Sequence, residues 1–373
     1  MPPIWELTVV CVVGMALVLV SQWIARAPAG SVPQPMRDAA EIMDLASETL
    51  KAYRLDHDLP LDTSTDINET GLIGEFFSSI TTTVGNLEAK RTTTNPNMAG
   101  VMVDLLNEVG VEAGDMVAVG ASGSFPALIL ATLSAAHVLE ARVALIVSLG
   151  SSQFGANIPQ FTWLDMEQVL VDSGVLSSHV VAASLGGDLD IARDLGADAR
   201  ALLDERIAES GVQRIYESDL QANVLERMSV YRESSGGEGI AAFVNIGGAS
   251  ANMGIDSSIL TAAPGIVQFD SLPDAQKQGV MHAMAAEGVP IIHLLNIKDL
   301  AGIYGLPWDP SPLPMPGMNI RSLAGGRKPP IGASLAYLAG VTLWFATILR
   351  RRVRRSRRRR IEGGASGLHE STG

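Results

Sequence analysis

Serine residues at a glycine-rich turn could act as nucleophiles. Residues 120–124, Gly-Ala-Ser-Gly-Ser, follow an apolar run and precede a helical one, which is the strand–turn–helix arrangement of a nucleophile elbow. That elbow has the pattern G-x-S-x-G, whereas the last position is Ser124. Ser122 is therefore the first candidate nucleophile and Ser124 the second. Both serines could instead cap the helix that begins near Phe125.

A serine nucleophile requires a base and a group that orients the base. Among the six histidines, only His293 follows a short apolar run, VPII, as a residue at a strand end would. Asp165, in the segment TWLDME, is the carboxylate expected to orient it. A histidine at such a position could instead be a structural hydrogen-bond partner, and Asp165 could cap a helix.

Small polar residues follow four apolar runs of strand length, at 120–124, 148–152, 184–188 and 245–252. Ligands of open α/β sheets bind beyond the carboxyl ends of the strands. Backbone amides and hydroxyls at such turns suit a carboxylate or a phosphate. The ligand-binding residues predicted in these turns are Gly120, Gly123, Gly187, Asp188, Asn245, Gly247, Gly248 and Asn252.

Residues 81–97, TTTVGNLEAKRTTTNPN, place two adjacent cations among hydroxyl side chains. Asn95 and Pro96 are typical of a helix start, as N-cap and first helical residue, and helix starts favour anions. One interpretation is an edge strand and turn with solvated charges. The other is an anion-contact loop, in which the ligand-binding residues are Lys90, Arg91, Thr92 and Asn95.

Metal and cofactor motifs are absent from the sequence. The single cysteine, Cys11, excludes a disulfide within the chain and a cysteine metal site. There is no zinc-ligand spacing, no Walker A motif and no GxGxxG motif. We therefore predict neither a metal nor a cofactor.

The order of the predicted elements indicates the fold class. From residue 98 onwards, short apolar runs alternate with longer amphipathic stretches. This alternation predicts an α/β fold with a mostly parallel sheet covered by helices. The predicted α/β domain covers residues 28–330 and ends in a proline-rich extended segment at 306–317.

Two apolar segments flank this domain and predict transmembrane helices. Residues 4–24 hold one charged residue, and Trp5 and Trp23 lie 18 residues apart, which is about 27 Å along a helix. The chain would thus have an N-terminal anchor at 1–27 and a second span at 331–349. The first segment could instead be a cleaved signal peptide with its cleavage site at 27–29.

Charge predicts the orientation in the membrane. The tail, residues 350–373, begins with nine arginines in eleven positions, which predicts a cytoplasmic C-terminus. Two spans then place the N-terminus in the cytoplasm and residues 28–330 outside it, and the tail could contact anionic lipid. Nucleic-acid binding by the tail is disfavoured by the two spans. Residues 28–330 carry a net charge of about −20, so an anionic ligand needs a local basic site.

Several long segments resemble one protein family. Residues 70–97, 119–131, 154–167, 244–254 and 289–317 together resemble the poly-gamma-glutamate system protein family, which consists of bacterial membrane-associated proteins encoded with the machinery that makes and exports this polymer. The resemblance implies a role in synthesis, export or surface attachment of poly-gamma-glutamate. It implies gamma-glutamyl oligomers and other membrane subunits of the system as partners, but supplies no catalytic residues.

Two functions follow from these observations. The first is an accessory protein of the cell membrane whose outward-facing domain contacts the polymer or partner subunits. The alternative is a serine hydrolase or transferase that trims, releases or attaches the polymer at gamma-glutamyl bonds.

Overall fold

The computed structural model describes residues 32–318. The two predicted transmembrane segments, 4–24 and 331–349, and the arginine-rich tail lie outside the described residues. Between residues 32 and 318, no helix is both long and apolar enough to span a bilayer.

One mixed sheet forms the centre of the described domain. Its strand order is β5-β4-β3-β2-β6-β8-β7, and β1 pairs with the end of β3. All neighbours are parallel except β7 and β8, which are antiparallel, so the predicted mostly parallel sheet is confirmed. The strands are β1 Thr81–Thr83, β2 Met116–Ser122, β3 Arg142–Ser152, β4 Val180–Gly186, β5 Gln213–Ile215, β6 Ala242–Ile246, β7 Gly265–Val267 and β8 Ile291–Leu294.

Helices cover both faces of the sheet, as predicted. Helices α1 and α3 to α6 contribute to one apolar core, and α7 to α9 contribute to the core on the opposite face. The helices are α1 Gln34–Asp56, α2 Leu87–Thr93, α3 Asn97–Glu108, α4 Pro126–Val138, α5 Trp163–Asp172, α6 Ala197–Ser210, α7 Leu220–Ser235, α8 Ser250–Met253, α9 Val280–Ala286 and α10 Ile297–Tyr304.

Burial on both faces explains the composition of the central strands. Every residue of β2 is buried, and its side chains alternate between the two cores: Val117 and Val119 face one, Met116 and Ala118 the other. Helix α4 is buried from Pro126 to Ala136 because it packs between the sheet and helices α1 and α3. A helix enclosed in this way is apolar on all sides.

The chain changes direction in the sheet at β2. From β2 the chain builds β3, β4 and β5 on one side, and then returns to place β6 on the other side of β2. Such a reversal leaves a crevice at the carboxyl ends of the strands. The sequence-predicted turns 120–124, 148–152, 184–188 and 245–252 all lie at this edge.

The segment 81–97 differs from both interpretations of its sequence. After β1, the side chain of Asn86 accepts a hydrogen bond from the amide of Ala89 and caps α2, so Lys90 lies on a helix rather than in a turn. The next helix, α3, begins at Asn97 with Pro96 as N-cap, one residue later than predicted. After β4 the chain forms a single 3₁₀ turn at Asp188–Asp190, and α6 begins only at Ala197.

Candidate functional site

A cavity of about 460 Å³ opens at the carboxyl edge of the sheet. Its walls come from the residues that end β1, β2, β3, β4, β6 and β8, together with Lys90 of α2. The four polar turns identified in the sequence therefore meet around one space. Of the predicted ligand-binding and catalytic residues, those on its walls are Lys90, Ser122, Ser124, Gly187, Asp188 and Gly248.

Lys90 places a buried amino group in the cavity wall. Its side chain is 2% exposed, and Nζ donates to Oγ of Ser152 at 2.8 Å and to the backbone carbonyl of Ser124. Nζ also lies 3.9 Å from the ring centroid of Phe125. None of these partners is a carboxylate, and burial lowers the pKa of Lys90 to about 7.

Arg91 points away from the cavity, so the structure does not bring Lys90 and Arg91 together as one contact surface. The guanidinium of Arg91 binds Asp309 through Nε–Oδ1 and Nη2–Oδ2 contacts of 2.7 and 2.5 Å. The Asp309 carboxylate raises the pKa of Arg91. This pair attaches α2 to the proline-rich segment predicted at 306–317.

Thr92 and Asn95 also lie outside the cavity walls. The hydroxyl of Thr92 donates to the carbonyl of Glu88 and accepts from the amide of Asp309. Oδ1 of the buried Asn95 accepts from the amide of Asn97. Both side chains therefore order the α2–α3 region, and neither lies beside Lys90 on the cavity wall.

Hydrogen bonds link three serines on the wall beside Lys90, two through their hydroxyls and Ser152 through its backbone amide. Oγ of Ser122 donates to Oγ of Ser124 at 2.9 Å, and Oγ of Ser124 accepts from the amide of Ser152 at 3.0 Å. Helix α4 begins at Pro126 with Phe125 as N-cap and has no side-chain cap. The alternative interpretation of Ser122 and Ser124 as helix caps is therefore wrong.

The predicted catalytic triad is not assembled. Nδ1 of His293 accepts from the side-chain amide of Asn245 at 2.9 Å, the ring is 1% exposed, and burial lowers the pKa of His293 to about 4. Asp165 instead accepts from the amide and hydroxyl of Thr162 at the start of α5 and lies 3.5 Å from Arg206. His293 is thus a neutral structural partner, and Asp165 is a helix-capping residue.

A buried ion pair supports the part of the cavity wall that follows β4. Oδ2 of Asp190 accepts from Nη2 of Arg227 at 2.7 Å, and Oδ1 accepts from the hydroxyls of Ser148 and Ser184 at 2.8 Å each. Asp190 has a φ of 61° and its neighbour Leu189 a φ of 54°, a left-handed conformation that is costly for residues other than glycine. The network therefore fixes this carboxylate in a strained turn at the cavity.

Several predicted glycines and amides lie behind the cavity rather than on its walls. A Cβ atom at Gly120 would lie 2.7 Å from the side-chain amide of Asn252, so glycine is required there by packing. Asn245 and Asn252 are fully buried and bind His293 and Arg227, respectively. The residues placed behind the walls are Gly120, Gly123, Asn245, Gly247 and Asn252.

The cavity walls carry opposite charges on two sides. Lys90 lies on one side, and Asp188, Asp190 and Asp194 lie on the segment after β4. Asp188 is paired with the exposed Arg193 and Asp190 with the buried Arg227.

Two backbone amides on the cavity wall, those of Gly248 and Ala249 after β6, donate no hydrogen bond to any described residue. They remain open to an acceptor in the cavity.

Fold and site together define an α/β protein with a polar cavity at the strand-order reversal of its sheet. Among residues 32–318, no three His, Cys, Asp or Glu side chains lie close enough to hold a metal ion. Comparisons of the chain with protein-family models, curated proteins and solved structures find no match.

The sequence did not single out Ser152 or Arg227 as individual functional residues. Ser152 is the last residue of the predicted turn 148–152. The sequence does not show which serine of this turn contacts the amine of Lys90, because that depends on the pairing of β3 with β1. Arg227 has a local signal: with Asn223 it interrupts the apolar stripe of Val224, Met228 and Tyr231 on α7. Polar residues on the buried face of a helix indicate a buried network.

Proposed function

We propose that this chain is a membrane-anchored component of poly-gamma-glutamate synthesis or export, and that its cavity binds gamma-glutamyl chains. The observation that carries the proposal is the amino group of Lys90, buried in the cavity wall without a carboxylate partner. A buried cation without a counter-charge is unfavourable. An incoming carboxylate supplies that counter-charge and raises the pKa of Lys90 on binding.

The charge of the domain restricts where such a ligand binds. With a net charge of about −20 over residues 28–330, most of the surface repels a polyanion. The hydroxyls of Ser124 and Ser152 and the amides of Gly248 and Ala249 add neutral donors around the lysine of the cavity wall. A γ-glutamyl chain carries one carboxylate and one amide bond per residue, so it can use both kinds of donor.

Calorimetry on the full-length chain in detergent tests this binding. A γ-glutamyl pentamer should bind at pH 6.5 and more weakly at pH 8.5, because Lys90 loses its proton between these values. Lys90→Met should weaken binding at least tenfold, whereas Lys277→Met, which changes a half-exposed lysine outside the cavity, should not. Equal affinities for wild type and Lys90→Met would refute the role of the cavity.

Membrane topology is a separate part of the proposal. We place both termini in the cytoplasm, residues 28–330 outside it, and the arginine-rich tail against anionic lipid, with other membrane subunits of the system as partners. The support is the two apolar segments and the nine arginines of the tail. Reporter fusions at residue 373 and within residues 55–70 should report opposite sides of the membrane. The same side for both fusions would contradict this topology.

A second function, hydrolysis or transfer at γ-glutamyl bonds, is favoured by one contact. The triad first considered for this chemistry, with His293 and Asp165, is not assembled. The 2.8 Å contact between Nζ of Lys90 and Oγ of Ser152 offers a different nucleophile and base.

A further inference from the structure

We propose that Ser152 and Lys90 form a serine–lysine catalytic pair that cleaves or transfers γ-glutamyl amide bonds, with Ser152 as nucleophile and Lys90 as general base. This inference rests on the proposed function, since it takes the γ-glutamyl chain as substrate. It replaces the serine, histidine and aspartate roles that the sequence suggested.

The hydrogen bonds distinguish Ser152 from the other two serines on the wall. The hydroxyl of Ser122 is donated to Ser124, and Ser124 accepts from Ser122 and from the amide of Ser152. Of these three hydroxyls, only that of Ser152 contacts the amine of Lys90. Ser152 is 7% exposed and lies on the cavity wall, so its oxygen is both held in place and open to a ligand.

The surroundings of Lys90 favour the neutral amine that a general base requires. Its contacts are a hydroxyl, a backbone carbonyl and the face of Phe125. The other titratable groups on the cavity walls are Asp188, Asp190 and Asp194, all on the segment after β4, and Asp190 is neutralised by Arg227. Since no carboxylate holds the proton on Nζ, the amine can accept one from Ser152 near neutral pH.

The reaction then proceeds in two balanced steps. Oγ of Ser152 attacks the γ-carbonyl carbon, its proton passes to Nζ of Lys90, and the C–N bond breaks as Lys90 gives that proton to the leaving amine. The product is a γ-glutamyl ester on Ser152. In the second step, water or another amine attacks the ester and gives a proton to Nζ of Lys90. Lys90 passes that proton to Oγ of Ser152 as the ester bond breaks.

Two further wall features suit this substrate. The hydroxyl of Ser124 accepts two hydrogen bonds but donates none within the described residues, so its hydrogen is available to the oxygen of the attacked carbonyl. The amides of Gly248 and Ala249 follow β6, which is separated from β3 only by β2, a distance of roughly 10 Å. They can hold a carboxylate of the chain while an amide bond lies at Ser152.

Lys90 has opposite protonation requirements in binding and in catalysis, which gives a specific pH signature. A carboxylate bound at Nζ requires the ammonium, whereas attack by Ser152 requires the free amine. Affinity for the oligomer should therefore fall as pH rises through about 7, while the rate of acylation should rise over the same range. A single structural role for Lys90 would not produce opposite trends.

The test is covalent labelling of the full-length chain by a serine-reactive fluorophosphonate, with peptide mapping of the adduct. We expect an adduct on Ser152, loss of labelling in Ser152→Ala, and a rate about 100-fold or more lower in Lys90→Met. Ser258→Ala, which removes an exposed hydroxyl outside the cavity, should label like wild type. If Ser152→Ala does not fold, Ser152→Cys serves instead, and an iodoacetamide adduct should form on that cysteine at a rate that depends on Lys90.

The outcomes separate the two proposals when pentamer binding is measured on the same samples. An adduct on Ser152 that depends on Lys90, together with pentamer binding, supports both. Binding without an adduct on Ser152, or an adduct on Ser122 or Ser124, overturns the catalytic pair and leaves the binding function. Absence of pentamer binding overturns the γ-glutamyl ligand, and with it the reaction proposed here.

Discussion

Nη2 of Arg227 lies 2.7 Å from Oδ2 of Asp190, and the two side chains are 0% and 5% exposed. The pair connects α7 to the strained turn after β4, and Ser148, Ser184 and Asn223 complete the hydrogen bonding of the carboxylate. Since Asp190 lies on the cavity wall, the pair holds this part of the wall in place.

Removing one partner of this buried pair should destabilise the protein strongly. Arg227→Met leaves the Asp190 carboxylate without its counter-charge, and we expect the free energy of unfolding to fall by about 3–5 kcal/mol in urea titrations. Arg232 lies on the same helix as Arg227 and makes an exposed pair with Glu287, so Arg232→Met should cost less than about 1 kcal/mol. Similar losses for both variants would show that the buried network contributes no more than a surface pair.

Lys90→Met should stabilise the protein at low pH more than at high pH. The pKa of Lys90 is about 7 in the folded protein, whereas the ordinary pKa of a lysine is 10.5. Between pH 7 and pH 10.5 the unfolded chain therefore binds more protons than the folded protein. Wild-type stability therefore rises with pH between about 7 and 10.5, and burial of the cation costs most below pH 7. The lowered pKa of Lys90 corresponds to a cost of at most about 5 kcal/mol.

Urea titrations at pH 6.0 and pH 9.5 measure this effect. The gain in unfolding free energy from Lys90→Met should be larger at pH 6.0. An equal gain at both values would mean that Lys90 keeps an ordinary pKa in the folded protein.

Arg91→Met should change stability without changing ligand affinity. Both of its strong contacts go to Asp309 on the proline-rich segment, and neither lies on the cavity wall. We expect a loss of about 1–3 kcal/mol, because the bidentate pair is largely shielded from solvent. Calorimetry with the γ-glutamyl pentamer should give the wild-type affinity. A tenfold weaker affinity would restore Arg91 to the binding site.

Two glycine-to-alanine changes should have opposite effects on stability. The new Cβ of Gly120→Ala lies 2.7 Å from Asn252 in a packed layer, so this variant should lose about 1–3 kcal/mol. Gly302 lies within α10 with no atom within 4 Å of its added Cβ. Gly302→Ala should therefore gain about 0.5–1 kcal/mol from helix propensity. Thermal denaturation of both variants checks the signs, and a stabilised Gly120→Ala would show that this layer has free space.

Much of the fold follows from local sequence pattern. Central strands such as Met116–Ser122 and Arg142–Ser152 are mostly apolar and almost wholly buried, and Gly or Ser residues mark their carboxyl ends. This pattern predicted the parallel sheet and placed the polar turns at its carboxyl edge. Strand order is not local, since the position of β6 beside β2 depends on packing across the whole sheet.

The individual site residues were harder to predict because their roles depend on side-chain direction. Lys90 and Arg91 are adjacent on α2, so their side chains leave the helix about 100° apart, one towards Ser152 and the other towards Asp309. His293 was identified correctly as a strand residue near the edge, but its ring is held by Asn245 from the neighbouring strand. Sequence separation gives no indication of either contact.

The most direct test of the cavity as a γ-glutamyl site is a crystal structure of the full-length protein with a γ-glutamyl pentamer at pH 6.5. The account predicts ligand density along the carboxyl edge of the sheet, with a carboxylate oxygen about 2.6–3.2 Å from Nζ of Lys90. An ordered pentamer bound elsewhere on the domain, with Lys90 still contacting only Ser152, Ser124 and Phe125, would contradict it.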